Sequence, residues 1–556
     1  MKLQLPQVLA LSAFFLAGGA TAGERPQPGD LRDAGAITFA VSCNPSVQAD
    51  FNRGVALLHS FFYEESRRTF TAIAERDPAC AMAQWGIAQT WWHPIWTPPS
   101  PEEFAAGKAA AEHAKALSAT PRERGFIEAI AAYYDTPPSM QAGPVGQSCH
   151  GPVGAPAAVG AYAQAMETLY QKFPDDFEVR VFHAFAVLAV GYATPMDVTL
   201  SHQKQAGALL EELWKQNAHH PGVAHYIIHS YDYPGLAERA LPAAQSYAAI
   251  APWVPHALHM PSHIFSRLGM WDDAIDSNRS SAEASRAYAA QRGRTAAESE
   301  ELHALDYLMY SLLQQGRDAE AHAIADKASA VRETFPAMEF AAAYALAAIP
   351  ARYVLEREAW QEAASIAIPQ RAQWARFPFT QAQFEYAHAL GRAHTGDIAG
   401  ARQAVERMRA LQADTKEVKF AYFSRQLDLQ AQAAEAWIDH AEGRDDDALR
   451  KLRSVADFED ALGKHPVTPG ALMPAREQLG ALLLEKKQPH EALAAYKAEL
   501  AIYPARLRSL YGAATAAEKM GDRELARSYF AQLVKQTSLA DKSRIEVVDA
   551  KKFLAD

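Results

Sequence analysis

Basic excess is missing from this chain. The formal net charge is −11, with acidic and basic residues interspersed. A nucleic-acid binder usually carries a basic stripe, and an anionic membrane recruits a polybasic patch, so neither partner is expected. Apart from the N-terminus there is no run of about 18 apolar residues, which leaves no membrane span. Strand-like alternation is absent too. No phosphate-cradling glycine loop, Gly-x-Ser-x-Gly, Cys-x-x-Cys or His-Glu-x-x-His occurs. A nucleotide cofactor and the usual zinc-protease helix are therefore not expected. Cysteine is scarce: Cys43, Cys80 and Cys149 are an odd set in 556 residues.

What is present begins with a leader. Lys2, an apolar core from Val8 to Leu16 and Ala20-Thr21-Ala22 have the order of a secretory signal peptide cut before Gly23. The expected location is periplasmic or secreted. Alanine-rich stretches then favour helix over most of the chain.

The organising stretch runs from Pro221 to Ala274. PGVAHYIIHSYDYPGLAERA is followed 34 residues later by PHALHMPSHIFSRLGMWDDA. Pro221 aligns with Pro255, His225 with His259, His229 with His263, Tyr231 with Phe265, Gly235 with Gly269 and Ala240 with Ala274. A period of 34 is that of a helix–turn–helix repeat. Similar turns recur at Gly396/Ala401, Gly443/Ala448 and Gly521/Ala526, and Gly480, Ala492, Tyr496 and Pro504 fit the same small, aromatic and terminating positions. One repeat cannot bury its apolar face alone, so repeats must stack.

On these residues the chain resembles the tetratricopeptide-repeat (TPR) superfamily. H-Y-I-I-H-S-Y-D and P-H-A-L-H-M-P-S-H-I-F are also similar to a group of exported bacterial repeat proteins without an established activity. The resemblance implies an all-α, TPR-like α-solenoid, a right-handed superhelix of roughly ten helical hairpins. Residues 1–22 are assigned to the leader and 23–45 to an extension. A first array spans 46–335 and a second 336–556. The first holds an insertion at about 94–157, where Ser100 and Thr120 should cap helices and a Pro/Gly-rich loop covers 136–157. Cys43 and Cys80, flanking the first repeat, are expected to bridge. Cys149 beside His150 is expected to be a stray thiol rather than an accessory ligand.

His-x-x-x-His places two imidazoles on one helix face. In the superfamily the first helix of each repeat lines the concave groove through its second, fifth, ninth, twelfth and thirteenth positions. That register puts His225 and His259 at the fifth position, His229 and His263 at the ninth, His303 at the second and Asp306 at the fifth of the next hairpin. His59 falls at a thirteenth position. Neutral imidazole suits Zn, Cu, Fe and Ni. The two pairs could share one ion or hold two, with His303 and Asp306 completing the set, and zinc or copper is the expected cofactor. Asp232 is a candidate to orient an imidazole, and Met260 is expected in the core.

Trp91, Trp92, Trp96 and Tyr63 are expected mainly as core, or as an aromatic wall near the groove. His183 reads as a satisfied core histidine and His219-His220 as solvent-exposed. His388, His394, His440, His465 and His490 look scattered. The leading reading is an exported binding protein with a groove-lining metal site. The alternatives are a metal-free scaffold gripping a protein or peptide in the groove, and a copper or zinc enzyme.

Overall fold

The computed structural model describes residues 34–95, 98–136, 146–148, 151–153, 156–194, 197, 199–337, 339–417 and 420–556. The leader, Trp96, Cys149, His150 and most of the 136–157 loop lie outside them.

The chain is all-α, with consecutive helices packed as antiparallel hairpins. Pairs such as Gln48–His59 with Tyr63–Arg76, Pro221–Tyr231 with Ala237–Ile250, and Ala421–Ala441 with Asp445–Leu462 repeat along its length. Ser100 and Thr120 each close a capping box, with Glu103 and Glu123 respectively. The helix Pro101–Ala116 packs on Ala81–Trp91, so the presumed insertion continues the stack. Among the described residues the only strand pairs are two short ones, and no helix is long and apolar enough to cross a membrane.

Cys43 and Cys80 form a disulfide. Asp77 lies beside it and accepts the Asn44 N–H at 2.7 Å. With both sulfurs oxidised, this trio offers no thiolate.

Two contacts show how the array curls. Trp271 Nε1 donates to the Ala505 carbonyl at 3.0 Å. Arg506 joins Glu356, 2.8 Å away, to Glu477 at the same distance. Gly269, at φ +69°, turns so close to this junction that a Cβ there would lie 2.7 Å from the Pro504 carbonyl oxygen. The stack therefore closes on itself, and the segment 464–471 reaches the inner wall. Tyr307 donates to the Pro466 carbonyl at 2.8 Å. An open groove lined by the central histidines is not what forms: their rings are 0–4 % exposed.

Candidate metal centre

The helix Pro221–Tyr231 starts with proline in its first turn, and His220 Nδ1 caps it by accepting the Val223 N–H at 3.2 Å. The equivalent helix of the next repeat is interrupted. Pro261 cannot donate an N–H, so Pro255–His259 and Pro261–Leu268 form two pieces joined at Met260, which is fully buried. The third helix is Ser299–Gln314.

These three helices build two histidine triads rather than one four-histidine cluster. His225, His229 and His256 form the first, and His259, His263 and His303 the second. In each, three ligand atoms lie within 4.8 Å of one another. The rule of assembly is simple. Each triad takes the fifth and ninth positions of one repeat and the second position of the next. His256 occupies the same second position as His303, so the register contained the signal for it. It was missed because the two duplicated pairs were matched to each other instead of each to its following repeat.

In the second triad, His259 Nε2 and His263 Nε2 are 3.0 Å apart. His259 Nδ1–H donates to Asn278 Oδ1 at 2.7 Å, and the Asn278 amide nitrogen donates to the Ala274 carbonyl, which fixes the amide's orientation. His263 Nδ1–H donates to Asp232 Oδ2 at 2.9 Å. Burial would raise the Asp232 pKa, but Lys464 and Arg267 beside it hold it far below the ordinary range. Asp232 is thus an acceptor only. With both Nδ1 atoms protonated, the neutral rings aim two lone pairs at each other. A cation bound between them would relieve that opposition. A proton is disfavoured, since burial drives His259 well below its usual pKa and lowers His263 despite Asp232. A tetrahedral zinc ion bound at about 2.0–2.1 Å holds its nitrogens about 3.3 Å apart, close to the separation here.

The first triad has the same close approach of two Nε2 atoms, but only a tyrosine hydroxyl stands at the second ring's Nδ1. His225 Nδ1–H donates to the His59 carbonyl at 2.7 Å, leaving Nε2 bare, and His229 Nε2 lies 3.0 Å from it. Tyr192 approaches His229 Nδ1 at 3.4 Å. Burial first, then the neighbouring histidines, hold His229 well below its usual pKa. Glu300 stands 3.5 Å from His256 Nδ1. Phe61, held at φ +54°, packs its ring 4.4 Å from that of His225 and 5.6 Å from that of His256. Left-handed backbone is uncommon for so bulky a residue.

A third group, His59, Glu178 and His220, has metal-like spacing but different chemistry. Glu178 accepts from His220 Nε2 at 3.1 Å and from His59 Nε2 at 3.3 Å. His59 Nδ1 meets the Tyr226 hydroxyl at 2.9 Å. Burial opposes ionisation of Glu178, yet the two histidines bring its pKa down to about 2. Every ring nitrogen here has a partner of opposite kind, so the group is a satisfied hydrogen-bond network. His220 is buried and not solvent-exposed as expected, because it serves both as helix cap and as Glu178 partner.

Asp306 is not brought to either triad. Its carboxylate accepts from Arg352 Nε at 3.1 Å, and both residues are fully buried. Arg352 also donates to Thr468 Oγ1 at 3.0 Å. The pair pins the segment covering Tyr307, which explains why an acid occupies that position. Asp232, by contrast, does orient a ring. His183 is buried, lies 3.3 Å from Glu167 through Nε2 and stacks on Tyr170, but its Nδ1 has no hydrogen-bond partner among the described residues, so it is a core histidine only half satisfied. Trp92 packs on Tyr133 in the core.

No family model matches the chain, and no curated protein matches it either. Among solved structures it is similar to one described as Naa15/Naa10 bound to HypK-THB, at 13 % identity and a TM-score of 0.23, covering 91 % of this chain and 73 % of that one. So distant a likeness carries no argument about function. The repeat class rests on the helix pairs themselves.

Proposed function

We propose that this protein is an exported helical-repeat protein holding two transition-metal ions, one in each histidine triad. The observation that carries the reading is the 3.0 Å approach of His259 Nε2 to His263 Nε2 while both Nδ1 atoms donate elsewhere. All-imidazole ligation favours zinc or copper over magnesium or calcium. Three protein ligands per ion leave a position open, which is the arrangement of catalytic rather than structural zinc sites. The Cys43–Cys80 bridge supports an oxidising compartment and so agrees with the leader sequence.

A metal-free scaffold with an open peptide groove is less well supported, because the rings that would line the groove are buried. Equilibrium dialysis of the full mature chain against zinc and against copper tests the proposal. Two equivalents should be retained by wild type, and fewer than one by the His225→Ala/His259→Ala protein. Failure of wild type to retain either metal overturns the reading.

A further inference from the structure

A cavity of 430 Å³ borders the first triad, and His256 and Phe61 form part of its wall. Its remaining surface combines aromatic rings with carboxylates. Tyr63, Tyr288 and Phe335 contribute rings, and five glutamates line it against one arginine, Arg67. That arginine is engaged elsewhere: its guanidinium lies 3.6 Å over Trp91 and donates to the Thr90 carbonyl. Arg294, just outside, pairs with Glu64 and Glu298 and lays its guanidinium 3.8 Å over one face of the Phe335 ring, leaving the other face to the cavity. Glu103 closes the capping box of its helix, and Glu339 caps the helix Phe340–Leu355. The acid nearest the triad is Glu300, at His256.

An anion entering here meets carboxylates. A purely apolar molecule leaves those carboxylates to be desolvated without return. A cation with an aromatic or aliphatic body satisfies both kinds of wall, through charge-assisted hydrogen bonds and ring-face attraction. We propose that this cavity binds an organic ammonium ion with an aromatic body, its charged end at Glu300 and its ring among Tyr63, Tyr288 and Phe335. Such a ligand would lie one side chain away from the proposed first metal ion. The inference rests on the metal reading only for that proximity.

Calorimetric titration of the full mature chain, stripped of metal, provides the test. Phenethylammonium should bind, 3-phenylpropionate should not, and methylammonium should bind at least about tenfold more weakly than phenethylammonium. Glu300→Gln should weaken phenethylammonium binding about tenfold or more, and Phe335→Ala, at a residue 39 % exposed, should weaken it with the fold intact. Absence of phenethylammonium binding, equal binding of the carboxylate, or an unchanged Glu300→Gln protein overturns the proposal. Because the titration uses metal-free protein, its outcome is independent of whether the triads hold ions.

Discussion

His256 and His259 lie one helical turn apart on the same helix, yet they face different triads. The His256 ring is 5.0 Å from that of His225, whereas the His259 ring is 4.5 Å from that of His303. One short helix, Pro255–His259, therefore supplies a histidine to each triad.

If the triads are separate sites, single substitutions should act separately. His256→Ala should remove one equivalent of bound metal, and His303→Ala the other. The double variant should hold none. Elemental analysis after gel filtration measures this, and loss of both equivalents from either single variant would indicate one shared site.

The groups that orient the rings should tune affinity. Asn278→Leu removes the acceptor that fixes the His259 tautomer. It should weaken the second site about 10–100-fold and leave the first unchanged. Asn278→Asp keeps an acceptor and should restore most of the loss. Competition with a chromogenic chelator gives both constants.

Gly222 occupies the second position of its repeat, where the next two repeats carry His256 and His303. A Cβ there would lie 2.6 Å from His59 Nδ1, and that ring is held on both sides by Tyr226 and Glu178. Gly222→Ala should cost about 1–3 kcal/mol of stability. It should also displace the His59 carbonyl, so that metal affinity falls at the first site alone. Denaturation midpoints and chelator competition read the two effects.

Acid should destabilise the metal-free protein in a definite window. His465 is 1 % exposed, its Nδ1 accepts the Val467 N–H, and burial followed by Lys464 lowers its pKa to about 3. Between that value and the unfolded value of about 6.5 the unfolded chain binds a proton that the native chain does not. Stability is thus complete above the unfolded pKa and falls as pH drops toward the folded one. From pH 6.5 to 4.5 the contribution of this residue is about 2–3 kcal/mol. His465→Asn should flatten the pH dependence of the denaturation midpoint by that amount, and an unchanged slope would contradict the assignment.

Breaking the Cys43–Cys80 link should matter even though it is far from the triads. It closes a sequence separation of 37 residues, which corresponds to about 4 kcal/mol in the loop-entropy account. Cys43→Ser/Cys80→Ser should lower the denaturation midpoint while metal stoichiometry stays at two.

Much of the fold was legible because its determinants are local. Proline in first turns, glycine between helices, small residues at close approaches and Ser100 or Thr120 before an acid each specify structure within a few positions. The duplicated histidines were equally visible. Their partners were not, since pairing depends on how far one repeat rotates against the next. That rotation carries His256, rather than the His259/His263 pair, to His225 and His229. Asp306 was misplaced for a related reason. Its register position is correct, but Arg352 from the following repeat claims the carboxylate. Cover for the second triad comes from the 464–471 segment at Tyr307, and for the first from Phe61 and His59, all contacts between residues more than 150 positions apart.

Anomalous diffraction from crystals of the metal-loaded protein, collected on either side of the zinc and copper edges, tests the central claim most directly. Two peaks are predicted, one about 2 Å from His225 Nε2 and His229 Nε2 and the other about 2 Å from His259 Nε2 and His263 Nε2. A metal-replete crystal with no peak at either triad, or with its only peak beside Glu178, would contradict the account.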